Sequence, residues 1–227
     1  MTTPETGFAV VTDSLADQVY RLLRDQIVHG RHPQGERLDI PALAASMGVS
    51  KTPIREALVR LEADQLVVTR PRSGTFVARI TAADIDEMCG MRKAIEWFAT
   101  GEATLRMPER TKRRLKAELE TADRAAARGD YEPFYRSDQN LHRSIVEHAG
   151  NARVVAVRDG IEAYLEWLRI GDTTDPAQVA VSAARHHEIV DAMLAGDAAA
   201  AREVAALHVD EVREQTLADF HAAHPES

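Results

Sequence analysis

One stretch of this sequence constrains the fold more than any other, the residues from Gly48 to Glu62. Gly48 allows a tight turn, and Pro53 falls in the first turn of a helix, where a missing N–H costs little. Apolar residues then recur at helical spacing and predict one buried face: Ile54, Ala57, Leu58 and Leu61. Ser50 is a good N-cap residue, and Lys51, Thr52 and Arg55 are left on the outer side. The pattern predicts the second half of a helix-turn-helix, which presents this end of its helix to DNA. The alternative is an ordinary amphipathic helix with solvated charges.

The flanking residues favour a winged helix over residues 14–80. Ser14 and Asp17 form a capping-box pattern ahead of a helix that ends near Gly30, and residues 41–47 predict a second, short helix. The apolar face predicted for the first helix consists of Leu15, Val19, Leu22, Leu23 and Ile27. Residues 31–38 are predicted to be a turn-rich connection. Two short strands, residues 66–69 and 75–77, follow the recognition helix and complete a hairpin, or wing.

The tip of the predicted wing is a second candidate for DNA contact. Arg72, Ser73 and Gly74 form it, and Gly74 has no side chain to prevent a close approach to the DNA backbone or minor groove. The alternative is a structural β-ribbon with a solvated tip. Basic residues at the tip of a hairpin that follows a helix-turn-helix favour DNA contact.

The net charge of −8 is unevenly spread and does not argue against DNA binding. The net charge of residues 1–80 is +1, and the net charge of residues 81–227 is −9. Residues 48–80 contain six basic residues and three acidic ones, which is the local surface that phosphate contacts require. The acidity therefore belongs to a second region.

The sequence indicates a cytoplasmic protein. It has no apolar stretch of transmembrane length and no signal-peptide pattern at its N-terminus. Its single cysteine, Cys89, excludes an internal disulfide, and its apolar helical surroundings predict a buried, inert thiol.

Residues 81–227 show helical patterns and no strand pattern. Thr81 and Asp84 cap the first helix, and six helices are predicted at about residues 82–107, 109–128, 131–148, 151–170, 176–195 and 197–222. The fold class is therefore mainly α, with an N-terminal winged helix-turn-helix (14–80) and a C-terminal all-α antiparallel helical bundle (81–222). Residues 1–13 and 223–227 are predicted to be tails.

One carboxylate and three histidines of the predicted bundle have the spacing of a metal site. Asp138 and His142 lie one turn apart on an apolar helix face. His186 and His208 lie eleven residues before and after Asp197, which places them side by side in an antiparallel hairpin. Histidine and aspartate side chains are common ligands of divalent metal ions, so this set predicts a metal site. The alternative is a set of separate core or surface histidines. Because His187 adjoins His186, spacing alone does not decide which of these two histidines belongs to the set.

The motifs resemble two bacterial regulator domains. Residues 14–80, with Ser50 to Leu58 and Arg72 to Val77, resemble the winged helix of GntR-type regulators, which implies DNA contacts by Ser50, Lys51, Thr52, Arg55 and the wing tip. Lys51 stands where Arg is commoner, and Pro41 replaces a frequent phosphate-binding Arg. Residues from Asp138 to His208 resemble the FCD effector domain of the FadR subfamily.

The FCD resemblance implies a divalent metal bound by Asp138, His142, His186 and His208. We expect zinc, with nickel, cobalt or manganese as alternatives. It also implies that Arg92, four residues before Glu96, binds an effector carboxylate. Without the resemblance, Arg92 and Glu96 are typical of a surface ion pair at i,i+4.

The sequence therefore predicts a ligand-responsive transcription regulator, a repressor that a small organic acid releases from a palindromic DNA operator. One winged helix reads few bases, so a homodimer is expected. A metal sensor without an organic effector is the first alternative. A metal-dependent hydrolase is the second, although no nucleophile motif accompanies the ligand set.

Overall fold

The computed structural model describes residues 13–170 and 175–224, and the chain divides into two compact units, Met1–Arg79 and Ile80–Ser227. The boundary lies next to the capping signal at Thr81. The predicted tails, residues 1–13 and 223–227, fall almost entirely outside the described residues, although the last helix continues to Ala223.

Three helices build the first unit: α1 (Leu15–Val28), α2 (Ile40–Met47) and α3 (Lys51–Ala63). The predicted capping box begins α1, since the Asp17 amide donates to Ser14 Oγ at 3.1 Å and the Ser14 amide donates to Asp17 Oδ2 at 3.0 Å. Gly48 ends α2 with φ +67°, a left-handed conformation that favours glycine and turns the chain into α3. Helices α2 and α3 thus form the predicted helix-turn-helix.

A small antiparallel sheet completes the first unit. Its strands are β1 (Arg37–Leu38), β2 (Val67–Arg70) and β3 (Gly74–Val77), in the order β1-β3-β2. In the register, Leu38 and Thr69 lie on opposite sides of Thr75, and Arg70 faces Gly74. The hairpin of β2 and β3 is the predicted wing.

Two details of this unit differ from the sequence prediction. The connection at residues 31–38 contains β1, which is too short to show an alternating pattern. Leu15 and Leu22 are 49% and 44% exposed, so the buried face of α1 is narrower than predicted. Helix α1 packs chiefly against α3, and this contact buries only a narrow stripe of α1, which consists of Val19, Leu23, Ile27 and Val28.

Six helices form the described part of the second unit. They are α4 (Ala82–Arg106), α5 (Glu109–Ala126), α6 (Glu132–His148), α7 (Ala152–Ile170), α8 (Pro176–Ala195) and α9 (Ala198–Ala223). These ranges agree with the predicted helices to within a few residues. The described residues confirm the predicted fold class, a winged helix-turn-helix followed by an all-α bundle. No helix among them is long and apolar enough to cross a lipid bilayer.

Helix α4 packs most extensively against α9, and α9 pairs with α8 in a hairpin. Gly196 ends α8 with φ +74°, and Asp197 caps α9 by accepting a hydrogen bond from the Ala200 amide at 2.9 Å. The core between these helices contains Ala99, Ala103, Leu141, Ile145, Ile189, Val190, Met193, Ala201 and Ala205. Small residues on α4 and α9 allow the close approach of the two long helices.

A buried lysine holds two helix ends in this bundle. Lys112 Nζ on α5 donates to the Thr104 carbonyl of α4 at 2.6 Å and to the Met193 carbonyl of α8 at 2.7 Å. We expect Lys112→Ala to lower the free energy of unfolding by about 3 kcal/mol, because two carbonyl groups lose a charged donor. The control is Lys116→Ala one turn later, whose surface pair with Asp191 contributes about 0.5 kcal/mol. Urea unfolding followed by circular dichroism measures both, and equal losses would contradict the expectation.

Candidate functional site

The first turns of α3 present the predicted DNA-contacting residues to solvent. Ser50, Lys51, Thr52 and Arg55 are all exposed, whereas the predicted apolar face, Ile54, Ala57, Leu58 and Leu61, is buried. Ser50 stands at the N-cap position, but its side chain makes no capping hydrogen bond. The helix therefore separates a packed face from a polar one, as the sequence pattern predicts.

The wing tip has a strained backbone. Arg72 and Ser73 are exposed, and Arg72 adopts φ +63°, a left-handed conformation that costs a non-glycine residue free energy. Gly74 has φ +114°, and a Cβ there would lie 3.0 Å from Arg37 Nε. The backbone conformation thus favours glycine at this position, and a side chain there would also require Arg37 to shift.

One basic residue of the recognition helix is engaged within the protein. Arg60 pairs with Asp17 of α1 and lies over the Tyr20 ring, 4.1 Å from the ring centroid. The Tyr20 hydroxyl in turn donates to Asp64 at 2.5 Å, and burial together with that carboxylate raises the pKa of Tyr20 to about 12. Arg60 therefore ties α3 to α1, unlike Lys51 and Arg55.

The structure brings together the four predicted metal ligands. His186 Nε2 lies 3.4 Å from His208 Nε2 and 3.3 Å from Asp138 Oδ1. His142 Nε2 lies 3.4 Å from the same Asp138 oxygen, and one ligand atom from each residue falls within 4.8 Å of all the others. All four residues are buried. The equal offsets about Asp197 explain why α8 and α9 present their histidines side by side.

The structure also distinguishes the two adjacent histidines of α8. His186 is fully buried, and its ring stacks on Phe134 with the centroids 5.8 Å apart. His187 lies on the neighbouring face, where Nε2 is 2.7 Å from Asp123 Oδ2 of α5. The alternative of separate histidines is therefore wrong for His142, His186 and His208, and His187 has a local partner instead.

Arg92 and Glu96 form a buried pair beside the cluster, not the surface ion pair that the spacing alone suggests. They are 3% and 1% exposed, and Arg92 Nε donates to Glu96 Oε1 at 2.6 Å. Arg92 Nη2 also lies 3.3 Å from His142 Nε2, and Glu96 Oε2 lies 2.8 Å from His142 Nδ1. Sequence analysis named Glu96 only as the neighbour of Arg92, whereas the structure places it against a candidate ligand.

Burial and neighbouring charges shift the pKa values of these groups. Burial by itself would raise the pKa of Glu96, but the charges of Arg92 and His142 outweigh it and hold that pKa well below its usual range. Burial lowers the pKa of His208 well below its usual value, and neighbouring positive charges lower it further. Burial likewise lowers the pKa of His186. Burial by itself would lower the pKa of His142, but the Glu96 and Asp138 carboxylates outweigh it and raise that pKa. The neutral imidazole, which is the form that binds a metal ion, is therefore favoured at His186 and His208.

The donor set fits a divalent metal ion. Three imidazole nitrogens and one carboxylate oxygen lie within 4.8 Å of one another in a buried space, and such atoms are the usual protein ligands of zinc and related ions. Glu96 Oε2 contacts Nδ1 of the candidate ligand His142, and a carboxylate in this position is typical of histidines that bind metal ions through their other nitrogen.

A cavity of about 490 Å³ opens onto this cluster. Arg92, Asp138 and His208 line one part of it, and its other walls include Phe134, Val179, Val212, Gln178, Gln215 and Thr216. Sequence analysis missed these wall residues. Helical spacing could have identified two of them. Gln178 lies eight residues before His186 and Gln215 lies seven residues after His208, so each shares a helix face with a candidate ligand.

Comparison with known proteins assigns both units. The family model "Bacterial regulatory proteins, gntR family" matches residues 15–77, and the model of the FCD domain matches residues 76–211. A Paenarthrobacter nicotinovorans protein named "Probable D-xylose utilization operon transcriptional repressor" is 31% identical over 206 residues, which cover 90% of this chain and 89% of the relative.

Two Escherichia coli proteins are also similar. The HTH-type transcriptional repressor RspR of strain K12 is 25% identical over 205 residues, 89% of each chain. The solved structure of McbR/YncC superimposes with a TM-score of 0.74 at 22% identity, and the match covers 92% of this chain and 100% of that one. This last similarity shows a shared fold.

The buried pair leads to a prediction about stability. We expect Glu96→Ala to lower the free energy of unfolding by about 3–5 kcal/mol, because the Arg92 guanidinium then loses its buried counter-ion. The matched control is Glu102→Ala on the same helix, whose i,i+4 partner Arg106 is 57% exposed and whose loss costs about 0.5 kcal/mol. Urea unfolding compares the two variants. A loss for Glu96→Ala as small as that of the control would show that the pair is not an important constraint.

Proposed function

From its membership of the GntR family of bacterial transcription regulators, with an FCD effector domain, we propose a function for this chain. It is a metal-containing repressor that a small carboxylate releases from DNA. Two of the three named relatives carry the word repressor in their names, one of them as a probable repressor, which favours that direction of regulation and a regulatory role over a hydrolytic one. The operator is proposed to be a palindrome bound by a homodimer, since one winged helix reads few bases. Because bacterial DNA lies in the cytoplasm, the proposal places the protein there.

The distribution of paired cations supports the proposed DNA contacts. Within the described residues, Lys51, Arg55 and Arg72 are exposed and have no carboxylate partner, whereas Arg21 and Arg60 pair with Asp13 and Asp17. Unpaired cations lose no internal interaction when they meet phosphate or base edges. Ser50, Thr52, Ser73 and Gly74 complete the proposed surface.

The observation that carries the effector proposal is the cavity at the ligand cluster. Asp138, His142, His186 and His208 would hold the metal ion, with zinc expected first and nickel, cobalt or manganese as alternatives. When bound, the ion supplies a Lewis-acidic centre to which an effector oxygen can bind. Arg92 lines the same cavity and would donate charge-assisted hydrogen bonds to the effector carboxylate. Its bond to Glu96 holds the guanidinium in place.

Chain connectivity supports coupling between effector and DNA. Arg92 lies on α4, and only residues 78–81 separate that helix from the wing strand β3. A shift of α4 on effector binding would therefore reach the wing through four residues. Allosteric coupling of this kind is typically about 1–3 kcal/mol, or roughly 5–150-fold in DNA affinity.

The first test compares two arginines of α3. We expect Arg55→Ala to abolish the preference for operator over scrambled DNA, because an arginine that reads a guanine contributes about 1–3 kcal/mol of discrimination. Arg60→Ala should retain the preference and lose stability, since Arg60 pairs with Asp17. Gel shifts on both DNAs, with footprinting to find two half-sites, measure this. Unchanged discrimination in Arg55→Ala would remove that residue from the base-reading set.

The second test compares the adjacent histidines of α8. We expect His186→Ala to lose bound metal and His187→Ala to keep it. Of these two histidines, only His186 belongs to the cluster, whereas His187 contacts Asp123. Metal content by mass spectrometry and the absorption spectrum of the cobalt-loaded protein measure the difference. The double variant Arg92→Gln/Glu96→Gln, which leaves no buried unpaired charge, should keep the metal and respond weakly to effector. Full metal content in His186→Ala would refute the proposed ligand set.

A further inference from the structure

The cavity beside the ligand cluster has chemically different ends. Arg92 and His208 lie at the near end, where the proposed function places a carboxylate. Gln178 of α8 and Gln215 of α9 lie at the far end. They face each other because they are nearly equidistant from the hairpin turn at Asp197, Gln178 nineteen residues before it and Gln215 eighteen after it.

The far end offers hydrogen-bond acceptors. Asp219 is an acceptor, so the amide nitrogens of both glutamines point toward it, Gln215 Nε2 at 3.0 Å and Gln178 Nε2 at 3.5 Å. Each amide group keeps its oxygen as an acceptor and its second N–H as a donor for a ligand. The Thr216 hydroxyl donates to the Val212 carbonyl at 2.9 Å, which leaves its oxygen as an acceptor too. Glu214 adds a negative charge to this wall.

The remaining walls of the cavity are mainly apolar. They include Phe134, Val179 and Val212, of which Phe134 and Val179 are buried. Ser182 and Glu211 interrupt these walls midway along α8 and α9, and the Glu211 carboxylate pairs with Arg185. Such walls favour methylene groups over a second charged group.

Helix geometry sets the distance between the two ends. His186 Nε2 lies 3.4 Å from that of His208 at the near end. Gln178 lies eight residues before His186 on the same helix, which corresponds to about 12 Å at 1.5 Å per residue. Contacts of about 3 Å at each end leave about 6 Å between the terminal groups of a ligand. An extended chain of about five or six carbons spans this distance.

We infer that the effector is a monocarboxylate of about five or six carbons that carries a hydroxyl or amino group at the end opposite its carboxylate. This inference rests on the proposed function, since it takes the carboxylate to bind at Arg92. A dicarboxylate of the same length is disfavoured, because its second carboxylate would lie near the negative charges of Glu214 and Asp219.

The test uses four five-carbon acids that differ only at the far end: pentanoate, 5-hydroxypentanoate, 5-aminopentanoate and glutarate. We expect calorimetric titration of the full-length, zinc-loaded protein to give about 5-fold tighter binding for the hydroxy and amino acids than for pentanoate. Glutarate should bind more weakly than pentanoate. The variant Glu214→Gln should reduce the penalty on glutarate.

Two variants test whether the far wall causes the preference. Gln178→Leu and Gln215→Leu should bind pentanoate as the wild type does and lose the preference for the hydroxy acid. Gln139→Leu, on an exposed position of α6, is the matched control and should keep that preference.

The outcomes separate the inference from the proposed function. If pentanoate binds and Arg92→Gln/Glu96→Gln weakens it, but glutarate binds as tightly as the hydroxy acid, the inference alone is wrong. It is also wrong if the preference survives in both glutamine variants. If none of the four acids binds, with or without zinc, the carboxylate effector of the proposed function fails together with the inference.

Discussion

A chain of buried charges, from Arg92 through Glu96 to His142, is the interaction on which the C-terminal unit depends. A guanidinium and a carboxylate removed from water are tolerated only when each is paired and hydrogen-bonded. Arg92 and Glu96 lie one turn apart on α4, and both reach the His142 ring of α6. The pair therefore fixes α4 against α6 and directs His142 Nε2 toward Asp138.

The same hairpin determines the ligand cluster and the far wall of the cavity. Helices α8 and α9 are antiparallel about Gly196, so positions at equal distance from the turn meet in pairs along their length. One pair is His186 with His208, and another, two turns away, is Gln178 with Gln215. A change in the register of this hairpin would disturb both ends of the cavity together. This shared origin links the proposed metal site with the proposed selectivity for the effector.

The N-terminal unit uses its charges in two ways. Arg60 and Asp17 join α3 to α1 and contribute to packing, whereas Lys51, Arg55 and Arg72 stay exposed. The wing tip keeps Arg72 in a left-handed conformation that glycine or asparagine would adopt at lower cost. An arginine in a conformation that glycine or asparagine would adopt at lower cost is consistent with the proposed contact of Arg72 with DNA. The net charge of the whole chain says little about this surface, because the acidic excess lies in the other unit.

The sequence by itself determined the helices, the helix-turn-helix, the wing and the alignment of His208 with the two adjacent histidines of α8. These features follow from local signals, such as the capping boxes at Ser14 and Thr81, or from a fixed helical period. The sequence did not reveal β1, which is too short for a pattern, or the exposure of Leu15, which depends on what covers α1. Only the tertiary structure decided that Arg92 and Glu96 are buried and which of two adjacent histidines joins the cluster. Spacing along one helix determines which residues share a face. Whether that face is buried, and which side chains its residues contact, depends on the helices that pack against it.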